Sequence, residues 1–154
     1  MPRHFSDDER KRIRDHLFSV GLRHFSEYGL KGTSVERIAR DAGIGKGTFY
    51  HFFPNKEELY LRIAEEQERI ERSYFDGELE RRLNEHAPAT DGEIDSADQR
   101  VAVLEFFLSE QYRLALANPL FRRSFLTDEL AYLNRHVSAE RMREHREIDY
   151  TYVL

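Results

Sequence analysis

The 154-residue chain contains no cysteine. Disulfides and thiolate chemistry are therefore excluded, which fits a reducing, cytoplasmic setting. No apolar run approaches the roughly 20 residues that span a bilayer, so no membrane segment is expected. The N-terminal MPRHFSDDERKR is charged and lacks the apolar stretch of a signal peptide. Enzyme signatures are missing as well. No two of the seven histidines stand three or four residues apart, and there is no H-E-x-x-H run. There is no G-x-S-x-G, and the Gly-Lys-Gly-Thr string at 45–48 lacks the spacing of a phosphate-binding loop. No catalytic residue, metal site or cofactor is expected.

Hydrophobic content of 40% and charged content of 34% suit a soluble, folded chain. The net charge of −5 is unevenly spread. Residues 1–60 carry 11 basic and 9 acidic side chains, net +2, whereas residues 61–154 carry 13 and 20, net −7. The two portions therefore differ in the partners they can attract.

Helical patterns punctuated by proline and glycine run throughout, with no convincing strand, so the expected class is all-α. Ser6-Asp7-Asp8-Glu9 is a capping box opening a first helix to about Tyr28, with Gly29 as its stop. Leu17, Val20, Gly21, Phe25 and Tyr28 share one face. Thr33-Ser34-Val35-Glu36 reads as a second capping box before a short helix that Gly43 ends. A third helix covers about Lys46 to Phe53, where Pro54 stops it. Phe49, Phe52 and Phe53 fall on one side of it and are expected in the core. Asn55 caps a fourth helix that continues to about Glu85, with Gly77 as a possible kink. His86 to Asp98 reads as a loop. A fifth helix runs to about Ala117; its VAVLEFFL stretch is apolar on more than one side, so a central position is expected. Asn118-Pro119 starts a further helical pattern through Phe121, Phe125, Leu130 and Leu133, and Ser138 to Leu154 is again helical.

Two short helices joined by a glycine turn, Ser34 to Phe53, form a helix-turn-helix pattern. Such a motif presents the N-terminal end of its second helix to the major groove. The residues at that end are Gly45, Lys46, Gly47 and Thr48. The glycines permit close backbone approach. Lys46 can donate to guanine O6/N7 or to phosphate, and Thr48 can meet a base edge or a thymine methyl. Tyr50 and His51 suit phosphate or sugar. Lys56 opposes the dipole of the helix it begins, so a bound phosphate is its expected partner.

The stretch FSEYGLKGTSVERIARDAGIGKGTFYHFFPNKEELYLRI, Phe25 to Ile63, resembles the DNA-binding domain of tetracycline-repressor-type (TetR family) transcriptional regulators. The resemblance covers about residues 10–65. It implies an N-terminal three-helix DNA-binding domain, residues 1–54, followed by a helical ligand-sensing and dimerisation domain, residues 55–154. It also implies a homodimer on palindromic operator DNA and repression relieved by a small-molecule effector. Thr33 and Ser34 match phosphate-contacting positions. Gly45, Lys46, Gly47 and Thr48 match base-facing ones, and Tyr50, His51 and Lys56 match backbone-contacting ones. Glu36 stands where some relatives read a base; an acid there would prefer a cytosine amino group or avoid the duplex. The family usually has two further long C-terminal helices that form the dimer. This sequence stops about where the first would begin, so it is expected to be incomplete relative to the family, to dimerise differently, or not to dimerise. The alternative is a truncated helical interaction module without regulated operator binding.

Phe75, Phe106, Phe107, Tyr112, Phe121 and Phe125 are candidate walls of an effector pocket, which would then take an apolar or aromatic ligand. For any single ring, ordinary core is the favoured reading.

Overall fold

The structure is a computed structural model that describes residues 5–85 and 97–150. Eight helices follow one another: α1 (Asp7–Gly32), α2 (Val35–Asp41), α3 (Lys46–Phe52), α4 (Lys56–Glu85), α5 (Ala97–Ala117), α6 (Pro119–Leu126), α7 (Glu129–His136) and α8 (Ala139–Tyr150). No strand occurs among the described residues. The fold is all-α, as the sequence pattern predicts. Most of the expected loop, 86–96, lies outside the described residues, as do 151–154.

Local chemistry sets most of the boundaries. Ser6 and Glu9 form the reciprocal capping box at the start of α1. Phe53, before Pro54, is extended and ends α3. Asn55 Oδ1 accepts from the Glu58 amide at 2.7 Å and starts α4. Asn118 Oδ1 caps α6, whose first residue is Pro119. Gly77 lies inside α4 without interrupting it.

Two boundaries depart from expectation. The cap of α2 is Ser34 rather than Thr33, and its hydroxyl accepts from the Arg37 amide. The pattern from Phe121 to Leu133 is two helices, because Thr127 is extended and Asp128 non-helical between them.

The N-terminal core joins α1 to α4. Leu17, Phe25, Leu30, Ile38, Phe49, Leu59 and Ile63 are buried together. Helices α1 and α4 meet closely at Gly21, where a Cβ would come within 2.8 Å of Ile63 Cδ1 and 3.1 Å of Leu59 Cδ2. Phe49 and Phe53 are in this core. Phe52 is only half-buried and packs on Phe5, with the Arg10 guanidinium over its ring.

Helix α5 does not take the central position its composition suggests. Phe106 is buried, but Leu104 is 57% and Leu108 60% exposed, and Val101, Tyr112 and Leu116 are exposed with them. Among the described residues, α5 packs mainly against α4 and α6. Helix α8 is held to α4 by ions: Arg141 bridges Glu58 at 2.9 Å and Glu65 at 2.7 Å.

Candidate nucleic-acid interface

The turn between α2 and α3 is built by a left-handed glycine. Gly43 has φ of 67°, its amide donates to Arg40 O, and the Ile44 amide reaches back to Ala39 O. That closure turns Ile44 toward the core and releases the chain at Gly45 into α3. Phe49 fastens α3 from behind. The opposite edge of α3, with Lys46, Gly47, Thr48, Tyr50 and His51, is exposed or nearly so.

Gly45 is the N-cap of α3, a place glycine suits, whereas Gly47 inside the helix is not demanded by the fold. Neither Gly45 nor Gly47 has positive φ. A Cβ on Gly47 would meet nothing within 4 Å, and one on Gly45 only Thr48 Oγ1 at 4.0 Å. Glycine inside a helix costs stability relative to alanine. What it leaves here is bare backbone on an open face.

Lys46 and Glu36 join the first turns of α3 and α2 through an ion pair. The contact holds the Glu36 carboxyl below its ordinary range and the Lys46 ammonium above its own. The Lys46 ammonium also lies 5.9 Å from the centre of the Tyr50 ring. The Ser34 hydroxyl accepts from the Arg37 amide as the cap of α2 and also hydrogen-bonds the Glu36 carboxylate.

Two expected phosphate contacts point elsewhere. Thr33 is 2% exposed, and its hydroxyl donates to Gly29 O at 2.7 Å and His24 O at 3.2 Å. Lys56 donates to Leu30 O at 2.7 Å and Thr33 O at 2.8 Å, beneath the Tyr132 ring. The physical reason is the end of α1: the chain breaks at Gly29 and leaves carbonyls that need donors. Thr33 and Lys56 satisfy them. Both residues support the motif from behind: Thr33 is buried with its one hydroxyl proton engaged, and Lys56 spends two of its three N–H donors on these carbonyls.

That break is also where the later helices attach. Gly29 has φ of 73° and ψ of 172°, and a Cβ there would lie 2.6 Å from Glu129 Oε1 and 2.5 Å from Arg123 Nη2. Glu129 is 3% exposed. It accepts from the Leu30 amide at 3.0 Å, Tyr60 Oη at 3.1 Å and Arg123 Nε at 3.3 Å. Burial, reinforced by Glu129, pushes the Tyr60 hydroxyl pKa far up, so Tyr60 remains a donor. Lys31 pairs with Asp128 at 2.6 Å beside this cluster. Nothing in the sequence marks Glu129 for this role, because its amide partner is 99 positions away. The Glu36–Lys46 contact had a visible signal: opposite charges at the first turns of paired short helices.

The candidate pocket rings are only partly assembled. Phe75 and Phe106 stack at 5.4 Å between α4 and α5, with Phe107 edge-on to Phe75 at 5.5 Å. Tyr112 is 69% exposed, and Phe121 is also exposed. Phe125 lies on α6, and its side chain is outside the described residues. An open groove of about 990 Å³ lies elsewhere, between α1, the end of α3 and α4, with Arg10, Arg14, Phe18, Phe52 and Arg69 in its lining.

No group of acidic, histidine or cysteine side chains able to hold a metal occurs among the described residues. No described helix is long and apolar enough to cross a membrane.

Comparison with known proteins bears on the same segment. Residues 17–63 match the family described as bacterial regulatory proteins, tetR family. The chain is 29% identical to the HTH-type transcriptional regulator AcrR of Shigella flexneri over 127 residues, which are 82% of this chain and 56% of that protein. It is 40% identical to the HTH-type transcriptional regulator RutR of Escherichia coli over 47 residues, 30% of this chain and 22% of RutR. The crystal structure of a putative tetR family transcription regulator from Shewanella sp. PV-4 aligns with a TM-score of 0.48 at 24% identity, covering 73% of this chain and 52% of that one. The match with AcrR thus spans about half the length of that relative.

Proposed function

We propose that the chain is a sequence-specific DNA-binding transcriptional repressor, released from its operator by a small molecule; the match of residues 17–63 to the family described as bacterial regulatory proteins, tetR family, supports the reading. The observation that carries the reading is the exposed edge of α3. Its Gly47 answers no need of the fold, and its polar side chains stand at the end that such motifs present to the major groove. In this reading Gly45, Lys46, Gly47 and Thr48 face base edges, and Ser34, Tyr50 and His51 face the sugar-phosphate backbone. Thr33 and Lys56 hold the end of α1 in place behind them.

Residues 1–54 would form the DNA-binding unit and 55–154 the sensing unit, with α4 shared between them. Two copies on a palindromic operator would set their recognition helices about one helical turn apart, roughly 34–36 Å, or a multiple of that. An effector that shifts α4 or α6 would change that spacing. The Glu129 cluster supports such a path, since it joins α6 and α7 to the broken end of α1. Effector and operator would then oppose each other through one coupling free energy. The stacked Phe75, Phe106 and Phe107 support an apolar or aromatic effector site between α4 and α5.

A second reading, a helical interaction module without regulated operator binding, draws support from the exposed apolar face of α5. Selection from a pool of random duplexes separates the two. A repressor enriches a palindrome; an interaction module enriches nothing.

A further inference from the structure

We propose that Glu36 is a specificity-determining residue, and that with Lys46 it reads two neighbouring G·C base pairs in each half-site: guanine by Lys46 and cytosine by Glu36. The inference rests on the reading of α2 and α3 as a DNA-binding motif.

Glu36 lies in the first turn of α2 and Lys46 in the first turn of α3, and their ion pair crosses the open face of the motif. Both side chains are more than half exposed, at 60% and 52%. A carboxylate on this face would meet phosphates, which repel it, unless the duplex offers it a donor. In the major groove those donors are the amino groups of cytosine and adenine, and carboxylates pair with cytosine N4. Guanine O6 and N7 are acceptors only and would repel the acid.

An ammonium has three donors. One bond to Glu36 leaves Lys46 two for guanine O6 and N7, so the pair can enter the groove intact. Glu36 keeps lone pairs for the cytosine of the adjoining base pair. Away from the correct sequence, the Glu36 charge offsets that of Lys46 and repels nearby phosphates. Glu36 thus raises discrimination in two ways: it favours cytosine and restrains sequence-independent binding.

The test is selection from random duplexes with the full 154-residue chain as wild type, Glu36→Gln and Glu36→Ala, followed by anisotropy titrations on the selected and scrambled duplexes. The wild type is expected to enrich a cytosine beside the guanine whose enrichment Lys46→Ala abolishes. Glu36→Gln is expected to move that preference toward adenine, which a carboxamide reads at N6 and N7. Glu36→Ala is expected to cut discrimination at that position by about 5-fold or more, at an unchanged thermal midpoint, and to bind scrambled duplex more tightly. Should Glu36→Gln fail to fold, Glu36→Ala carries the same comparison. Identical base preferences in wild type and both variants overturn the proposal and leave the regulator reading standing. A wild-type chain that enriches no duplex overturns that reading and the proposal with it.

Discussion

Replacing Gly47 by alanine separates what the fold needs from what a bound duplex needs. The new Cβ meets no atom within 4 Å, and the backbone there is not left-handed. Alanine at such a position removes freedom from the unfolded chain and favours the helix, worth about 0.4–1 kcal/mol. For a chain of this length that raises the thermal midpoint by about 1–4 °C. A duplex seated against the bare backbone would meet the methyl group instead. Overpacking a close contact costs about 1–3 kcal/mol, which is roughly a 5- to 150-fold loss of affinity. Stability and binding should therefore move in opposite directions. Urea unfolding followed by circular dichroism gives the first quantity, and anisotropy on the selected duplex gives the second. Gly77→Ala is the control: its Cβ also meets nothing, but it lies far along α4. It should gain stability and leave binding unchanged. A Gly47→Ala protein that binds its duplex as tightly as wild type would refute close approach at the start of α3.

The other expectations concern the supports behind that face. Gly29→Ala should lose about 2–4 kcal/mol in urea titrations, since it forces a side chain into a glycine-only conformation and against Arg123 and Glu129. Glu129→Ala should lose about 3–5 kcal/mol by the same measurement, because it strands Arg123 and the Leu30 amide. Lys56→Ala should lose about 1–3 kcal/mol through its two carbonyl bonds. Its salt slope for duplex binding should stay at the wild-type value, whereas a lost phosphate contact would lower that slope by about 0.9. Burial raises the Glu65 pKa, but its bonds to His145 and Arg141 outweigh this and leave it below the ordinary carboxylate range. The stability this gives is present above the unfolded value and is lost as pH falls through the folded one. Wild type should thus lose stability in acid more steeply than Arg141→Met, as unfolding midpoints at a series of pH values would show.

The features legible in the sequence were those fixed within four or five residues. Ser6 with Glu9, Asn55 with Glu58, Asn118 with Pro119, and Gly43 each mark a helix boundary by chemistry that acts locally. The core positions of Phe25, Ile38, Phe49 and Ile63 follow from helical spacing. Phe52 departed from that rule because its ring lies against Phe5 and Arg10, which cover it only in part. The bonds of Thr33 and Lys56 were hidden for a different reason. They depend on where α1 ends, and the carbonyls they satisfy lie 4 to 26 positions away. Glu129 was invisible because its partners come from three other helices. The apolar stretch of α5 showed that something must cover it, and periodicity alone could not say which sides the described helices reach.

The central claim is that the exposed N-terminal edge of α3 reads base sequence. The most direct test is the ratio of dissociation constants for scrambled and selected duplexes, measured for wild type and for Lys46→Ala combined with Thr48→Ala. The account expects the wild-type ratio to fall by about 10-fold or more in the double variant, with helicity and thermal midpoint unchanged. A ratio equal to that of wild type would contradict it.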